Sequence, residues 1–430
     1  MGPELLFAFV MLIFVFLLLA GLAIPFSIAA TGLTYLWLEG GLSAFNGLGL
    51  ISWGSMNNFT LTALPLFILM AEILRHSGLS GRIYNGLSRL VMPIPGGLLQ
   101  TNIIGSAFFS AISGSSMATA AAIGSVAVPQ LEERGYNRQL SLGSLAAGGT
   151  LGVLIPPSVG MIIYGSFTDV SVAKLFMAGI GPGILVTLLF SSYIMFAALR
   201  RKDVAPGLGG EDKSVLIALW EIAPFTLLVM GTLGSIYLGY ATPTEAAGAG
   251  CVLSLFVSAF FGRLSVVVIW ASLRDTILVV GNLLFIVYAA FIFSYAVSYA
   301  GIGERLTQAL VDTGLGPTGF IIAVFLLYLV LGCLVESIGM IVITVPLLFP
   351  IVIGYGLDPV WFGIMVILFV ELGQITPPVG LNLFVIHNIA GGKLSDVLAG
   401  AIPFMGLLFM AIVLIALFPQ IALWLPNQMF

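Results

Sequence analysis

"LGVLIPPSVG" (Leu151–Gly160) sets two consecutive prolines inside one of the most apolar parts of the chain, and "LGQITPPVG" (Leu372–Gly380) does so again. Both read L-G-x-x-x-P-P at a constant offset: 372 − 151 = 221 and 377 − 156 = 221. Proline inside a helix removes a backbone donor and clashes with the preceding turn. In hydrocarbon each freed backbone group costs roughly several kcal/mol. Such a break persists only where protein or a water-filled cavity satisfies it, so two matched breaks half a chain apart point to one shared purpose.

The surroundings are a membrane protein. The chain has 430 residues, 60% hydrophobic and 7% charged, with a mean hydropathy of +1.17. Soluble domains carry about 25% charged residues, so this chain cannot dress a soluble surface. The net charge of −4 adds little. The first run, "ELLFAFVMLIFVFLLLAGLAI", follows Glu4 rather than a basic segment and is read as a retained span. Cys251 and Cys333 lie in apolar runs and are read as small buried hydrophobes, not a disulfide framework. There is no G-x-x-x-x-G-K-[ST] phosphate loop, no Cys/His metal spacing and no large soluble segment. An enzyme, a nucleotide-driven pump, a resident cofactor and a nucleic-acid partner are therefore not expected. Any energy-coupled function of such a chain must therefore draw on an ion gradient.

Apolar runs that read as spans of about 30 Å of hydrocarbon fall near residues 4–24, 25–38 (a short one), 57–75, 174–199, 215–239, 243–262, 276–299 and 399–425. Two composite regions, about 97–170 and 317–391, hold more than one span each. Amphipathic arms precede them at 78–97 and 301–317, and 263–275 reads as an interfacial helix. A cytoplasmic linker, "RRKDVAPGLGGEDK" (200–213), divides the chain almost in half. Further landmarks repeat across it: Gly78-x-x-x-Arg82 with Gly301-x-x-x-Arg305 (301 − 78 = 223), and Pro25 with Pro243 (243 − 25 = 218). The expected fold is an all-α polytopic membrane protein of two repeats, 1–199 and 214–430. In the first, a re-entrant hairpin covers about 98–128 and a broken helix about 136–170. In the second they cover about 318–352 and 358–390.

Treating each composite region as a re-entrant hairpin plus one broken span gives each half five crossings. An odd number makes the second half inverted. With the N-terminus outside, twelve of the fourteen Lys and Arg residues fall on one side, and only Lys174 and Arg305 on the other. That positive-inside bias supports ten spans and a periplasmic N-terminus. Inverted repeats with discontinuous helices near the midplane are the architecture of secondary transporters.

Helix ends supply the chemistry. The first half-helix is expected to end near Gly148-Gly149, with Pro156 or Pro157 opening the next at a position where proline is tolerated. Exposed carbonyls suit Na⁺, and exposed N–H groups suit an anion. Thr150 and Ser158 add hydroxyls; Gly373, Thr376 and Val379 surround Pro377-Pro378 in the second copy. Tiny residues Ser113, Gly114, Ser115 and Ser116 mark one hairpin tip; Gly332, Ser337 and Gly339 mark the other. By topology the first hairpin enters from the cytoplasm and the second from outside, so both tips and both breaks converge. Glu336 and Glu371 are candidate buried acids. Their counterparts at offset 221 are Ser115 and Thr150, and a structural hydrogen bond to a backbone break is the blander role. Glu245 reads as a helix cap, His76 and His387 as interfacial, and Arg82 and Arg305 as headgroup or domain contacts.

"SGSSMATAAAIGSVAVPQLEERGY", "AAGGTLGVLIPPSVGMIIYG" and "ELGQITPPVGLNLFVIHNIAGG" resemble the large membrane subunit of tripartite ATP-independent periplasmic (TRAP) transporters, DctM-like, over essentially the whole chain. The resemblance implies an elevator in which a transport domain moves against a scaffold, in the bacterial inner membrane. It implies Na⁺ as the coupling ion, a small four-helix membrane partner, and a periplasmic binding protein that delivers an organic anion such as a C4-dicarboxylate or sialic acid. Carried onto this chain, one Na⁺ would lie between Ser113, Gly114, Ser115, Ser116 and Gly149, Thr150, Gly152, Ser158. The other would lie between Gly332, Val335, Ser337 and Gly373, Thr376, Val379. Substrate would meet Ser115, Ser116, Pro156, Pro157, Thr376, Pro377, Pro378 and Asn382. No Lys or Arg lies in these motifs. The nearest alternative is a stand-alone sodium/dicarboxylate symporter of similar design; a channel or a passive scaffold gives no reason for matched breaks.

Overall fold

The computed structural model describes residues 3–201, 204, 214–333 and 335–429. The first repeat comprises α1 (Pro3–Leu19), α2 (Ile24–Gly40), α3 (Leu48–Met56), α4 (Ala63–His76) and α5 (Leu79–Val91), then a hairpin of α6 (Leu98–Ser113) and α7 (Ser116–Glu133). A broken helix follows, α8 (Arg138–Leu154) and α9 (Val159–Thr168), and then α10 (Val172–Arg200). The second repeat comprises α11 (Val215–Tyr237), α12 (Pro243–Phe261), α13 (Val266–Tyr299) and α14 (Ile302–Asp312). Its hairpin is α15 (Pro317–Leu331) and α16 (Ser337–Gly354). Its broken helix is α17 (Pro359–Ile375) and α18 (Leu381–Ala390), followed by α19 (Leu394–Leu417) and α20 (Gln420–Met429). Most of the linker expected at 200–213 lies outside the described residues.

The two halves pack reciprocally, as a two-fold relation between inverted repeats requires. Helix α2 packs on α13 while α4 packs on α12; α9 packs on α16 while α18 packs on α7. Corresponding helix ends keep the proline offset. Helices α7 and α16 begin at 116 and 337 (337 − 116 = 221), and α8 and α17 end at 154 and 375 (375 − 154 = 221). The fold is thus all-α, polytopic and built from two inverted repeats.

Local chemistry sets the element ends. Asp358 caps α17 by accepting from the N–H groups of Val360 and Trp361 at 2.8 and 2.9 Å, with Pro359 in the first turn. Thr242 and Glu245 form a reciprocal capping box at the start of α12, so Glu245 is a cap. The arms α5 and α14 follow Gly78 and Gly301, both at positive φ (79° and 64°). Arg82 donates to the Phe261 carbonyl at 2.8 Å, where α12 ends, while Arg305 is exposed. At the end of α4, Arg75 bridges Glu72 and Asp275 of α13, each at 2.6 Å. His76 joins them through Asp275 at 2.9 Å.

The first broken helix and α17 lie at the core. Of an 18-residue apolar window within 138–168, 94% is buried, whereas the corresponding windows of α10, α11, α12, α13, α16 and α19 are 28–56% buried. Protein, not lipid, therefore surrounds the first break. Small residues permit the packing. A Cβ on Gly143 of α8 would overlap the Gly400 carbonyl of α19, and one on Gly400 would overlap the Gln139 carbonyl.

Three expectations are corrected, and one unassigned segment is filled. Residues 263–275 do not form a separate interfacial helix. They run into α13, 34 residues long, because no proline or glycine interrupts 263–280; at 1.5 Å per residue it spans about 51 Å. The first half-helix does not end at Gly148-Gly149. It continues to Leu154, because glycine alone does not stop a packed membrane helix and the first missing N–H comes at Pro156. Neither Pro156 nor Pro157 opens α9; both sit in the break, and Ser158 is the N-cap. Residues 41–56, unassigned from the sequence, form a 3₁₀ turn and α3. By length and composition, seven helices among the described residues qualify as spans, or eight with the bent pair 24–56 and 60–76. The reading of ten leaves out the hairpin arm α16, which is among the seven, and adds α1, α2, α4 and the second broken helix.

Replacing Gly143 by valine should lower stability by about 1–3 kcal/mol, the usual cost of overpacking. Gly248→Ala, where a Cβ meets nothing within 4 Å, should leave it unchanged. Thermal unfolding of the detergent-purified protein tests both; equal melting temperatures would show that the α8–α19 contact is not close.

Candidate functional site

The first tip is made by backbone. Helix α6 ends at Ser113, Gly114 turns the chain in the left-handed region (φ 60°), and Ser115 caps α7 by accepting from Ala118 N–H at 3.4 Å. Ser113 Oγ lies 2.5 Å from Thr119 Oγ1. This tip touches the first break directly: Val159 N–H donates to the Gly114 carbonyl at 3.3 Å. A Cβ on Gly114 would stand 2.8 Å from the Pro157 carbonyl, and one on Gly152 would overlap the Ser115 carbonyl. Gly114 and Gly152 are thus glycine because two backbones meet. Thr150 donates to its own helix, to Ala147 O at 2.6 Å, and Ser158 accepts from Met161 N–H at 3.3 Å. Pro156-Pro157 and Pro377-Pro378 are both cis.

The second tip repeats the contact with different atoms. A Cβ on Gly332 would stand 2.5 Å from Gly373 Cα and 3.1 Å from the Gly373 carbonyl oxygen. Val335 N–H donates to Leu331 O at 2.9 Å, and Glu336 is the N-cap of α16. Thr376 donates to Leu372 O at 2.6 Å, and Cys333 Sγ approaches Pro377 O at 3.6 Å. Each tip therefore faces its own break across a backbone-to-backbone contact, and peptide carbonyls are the main oxygen donors at both places.

The tips share a cavity of about 280 Å³, lined by Ser113–Ser115 from one and Glu336–Ile338 from the other. Val159 and Gly160, in the first turn of α9, form part of its wall. Helices α4 and α13 close it with Ile68, Ala71, Glu72, Val279 and Leu283. No Lys or Arg is among these lining residues. The first turns of α7, α9 and α16 border the cavity with the positive ends of their helix dipoles.

Not every candidate lies on this cavity. Ser116, Pro156, Pro157, Thr376, Pro377, Pro378 and Asn382 are not part of its lining. Asn382 is fully buried. The two breaks also differ in access. Residues 156–160 are buried, whereas Pro377 and Pro378 are exposed and Thr376 and Val379 half-buried. The sequence reading missed the wall from α4 and α13. Glu72, an acid within an apolar run, was the available signal.

A family profile described as "Tripartite ATP-independent periplasmic transporter, DctM component" matches residues 10–421. The C4-dicarboxylate TRAP transporter large permease protein DctM of Vibrio cholerae is 35% identical, with 86% of each chain covered. The ectoine TRAP transporter large permease protein TeaC of Halomonas elongata is 34% identical, over 96% of this chain and 97% of TeaC. Among solved structures, the YdaH transporter of Alcanivorax borkumensis superposes with a TM-score of 0.66 at 15% identity. That match covers 91% of this chain and 90% of YdaH, and it bears on the fold alone.

The difference in access is measurable. In a background lacking Cys251 and Cys333, Val379→Cys should react with a water-soluble maleimide at least about tenfold faster than Ser158→Cys, since thiol reactivity follows exposure. Equal rates would contradict the asymmetry of the two breaks.

Proposed function

This chain belongs to the DctM-component family of tripartite ATP-independent periplasmic transporters, and from that premise we propose that it drives sodium-coupled uptake of a small organic anion across the bacterial inner membrane. One observation carries the reading: two hairpin tips, each in backbone contact with a helix break, meet at a single cavity.

Sodium is supported by the donor type. Carbonyl and hydroxyl oxygens dominate at both contacts, and a hard monovalent cation prefers such ligands. One Na⁺ would be held where Ser113–Ser116 face Gly149–Ser158, the other where Gly332–Ser337 face Gly373–Val379. An anion is supported by the helix N-termini that border the cavity. Its volume, about 280 Å³, is near the lower bound of about 300 Å³ for small-molecule sites and favours a small acid. Na⁺ bound at a tip–break contact stiffens that tip, and a stiff tip offers its N–H groups to the carboxylate. Ion and anion thereby strengthen each other's binding.

Movement follows from which helices hold the site. The hairpins and broken helices form the moving unit, and α4 and α13 belong to a scaffold built on α1–α5 and α11–α14. An elevator shift would carry the cavity past α4 and α13. The N-terminus is periplasmic in this reading. A small four-helix membrane subunit braces the scaffold, and a periplasmic binding protein delivers the substrate.

Proteoliposomes holding this chain and the small subunit test the reading with a panel of organic acids. Uptake is expected only with both an inward Na⁺ gradient and the binding protein. Uptake that ignores Na⁺ would overturn the ion assignment, and Na⁺-driven uptake without the binding protein would indicate a stand-alone symporter.

A further inference from the structure

We propose that Glu371, Gln374 and Asn382 form an additional, deeper Na⁺ site, beyond the two at the tip–break contacts. The inference rests on the sodium-coupled reading above.

All three side chains are fully buried, at 0% exposure. Glu371 and Gln374 stand three apart on α17, on one helix face. Ser116 of α7 donates to Glu371 Oε1 at 2.5 Å. A Cβ on Gly149 would lie 3.2 Å from the Ser116 carbonyl and 3.3 Å from Asn382 Nδ2, so Asn382 flanks the same point from α18. Glu371 Oε2 and both amide groups of Gln374 and Asn382 have no hydrogen-bond partner. The cluster thus offers one carboxylate oxygen and two amide oxygens with nothing bound to them. Among the described residues no Lys, Arg or His pairs with Glu371. An unpaired carboxylate inside a membrane protein is costly, and a cation held by its oxygen and neighbouring amide oxygens offsets that cost.

The repeat supplies an independent argument. At offset 221 the first-half counterparts of Glu371, Gln374 and Asn382 are Thr150, Val153 and Met161. Thr150 satisfies itself on Ala147 O, and Val153 and Met161 are buried apolar residues. The break therefore folds without these polar groups. Nor does Glu371 bond to the backbone of its break; its partner is Ser116, in the other repeat. The site exists once, and it joins α7 and α8 of the first repeat to α17 and α18 of the second. An ion there holds the two repeats together.

The test is Na⁺ titration of the purified transporter, read by thermal shift and by uptake in proteoliposomes. Glu371→Gln keeps the size and loses the charge. The Na⁺ concentration for half-maximal uptake should rise at least about tenfold, and the Hill coefficient should fall by about one. The stabilisation by Na⁺ should shrink correspondingly. Gln374→Leu and Asn382→Leu, each removing a neutral ligand, should raise that concentration severalfold and carry the test if Glu371→Gln does not fold. Unchanged Na⁺ dependence in the folded variants would overturn the site. So would a shift confined to the pH dependence, which would make Glu371 a proton carrier instead. If the unaltered protein shows no Na⁺ dependence, the sodium-coupled reading itself fails, and the two failures are distinct.

Discussion

A peptide group without a hydrogen-bond partner cannot rest in hydrocarbon, and the architecture here follows from that constraint. Two proline pairs strip partners from the backbone at the middle of two apolar helices. The chain answers by burying the first break inside protein and bringing a hairpin tip against each of the two. Contact is close because glycines stand where the backbones meet: Gly114 and Gly152 at one break, Gly332 and Gly373 at the other. The two tips then meet at one cavity.

Reciprocal packing turns two half-sites into one. Helix α9 leans on α16 and α18 on α7, so each break is supported by the other repeat's hairpin. The cavity between the tips is completed by α4 and α13, which also belong to different repeats. The two halves are nonetheless unequal. The first break is enclosed and the second is open at Pro377 and Pro378. The second carries Glu371, Gln374 and Asn382, where the first has Thr150, Val153 and Met161.

Much of this was legible in the sequence because it depends on residue types that leave little choice. A proline pair, a Gly-Ser-Ser tip and a constant offset say where helices break and how the halves correspond, and the family is readable from the same motifs. Helix ends governed by packing were harder. Gly148 and Gly149 looked like a terminus, yet they are mid-helix, fitted against Ser106 and Ala120. Residues 263–275 looked interfacial because of Arg263, Arg274 and Asp275. The structure instead joins Asp275 to Arg75 on a neighbouring helix and continues the chain without a break. The cavity wall from α4 was invisible for a similar reason. Which face of an apolar span meets a hairpin tip is decided by tertiary packing, and periodicity in an all-apolar helix does not record it.

The most direct measurement is amide hydrogen exchange, resolved by peptide, on the protein in nanodiscs with Na⁺ or with choline as the sole cation. If ions bind where tips meet breaks, Na⁺ should slow exchange at 113–116 and 155–159 and at 335–337 and 373–380, while α11 and α12 remain unchanged. Protection spread evenly over the chain, or none at the four segments, would contradict the claim that the tip–break contacts are the cation sites.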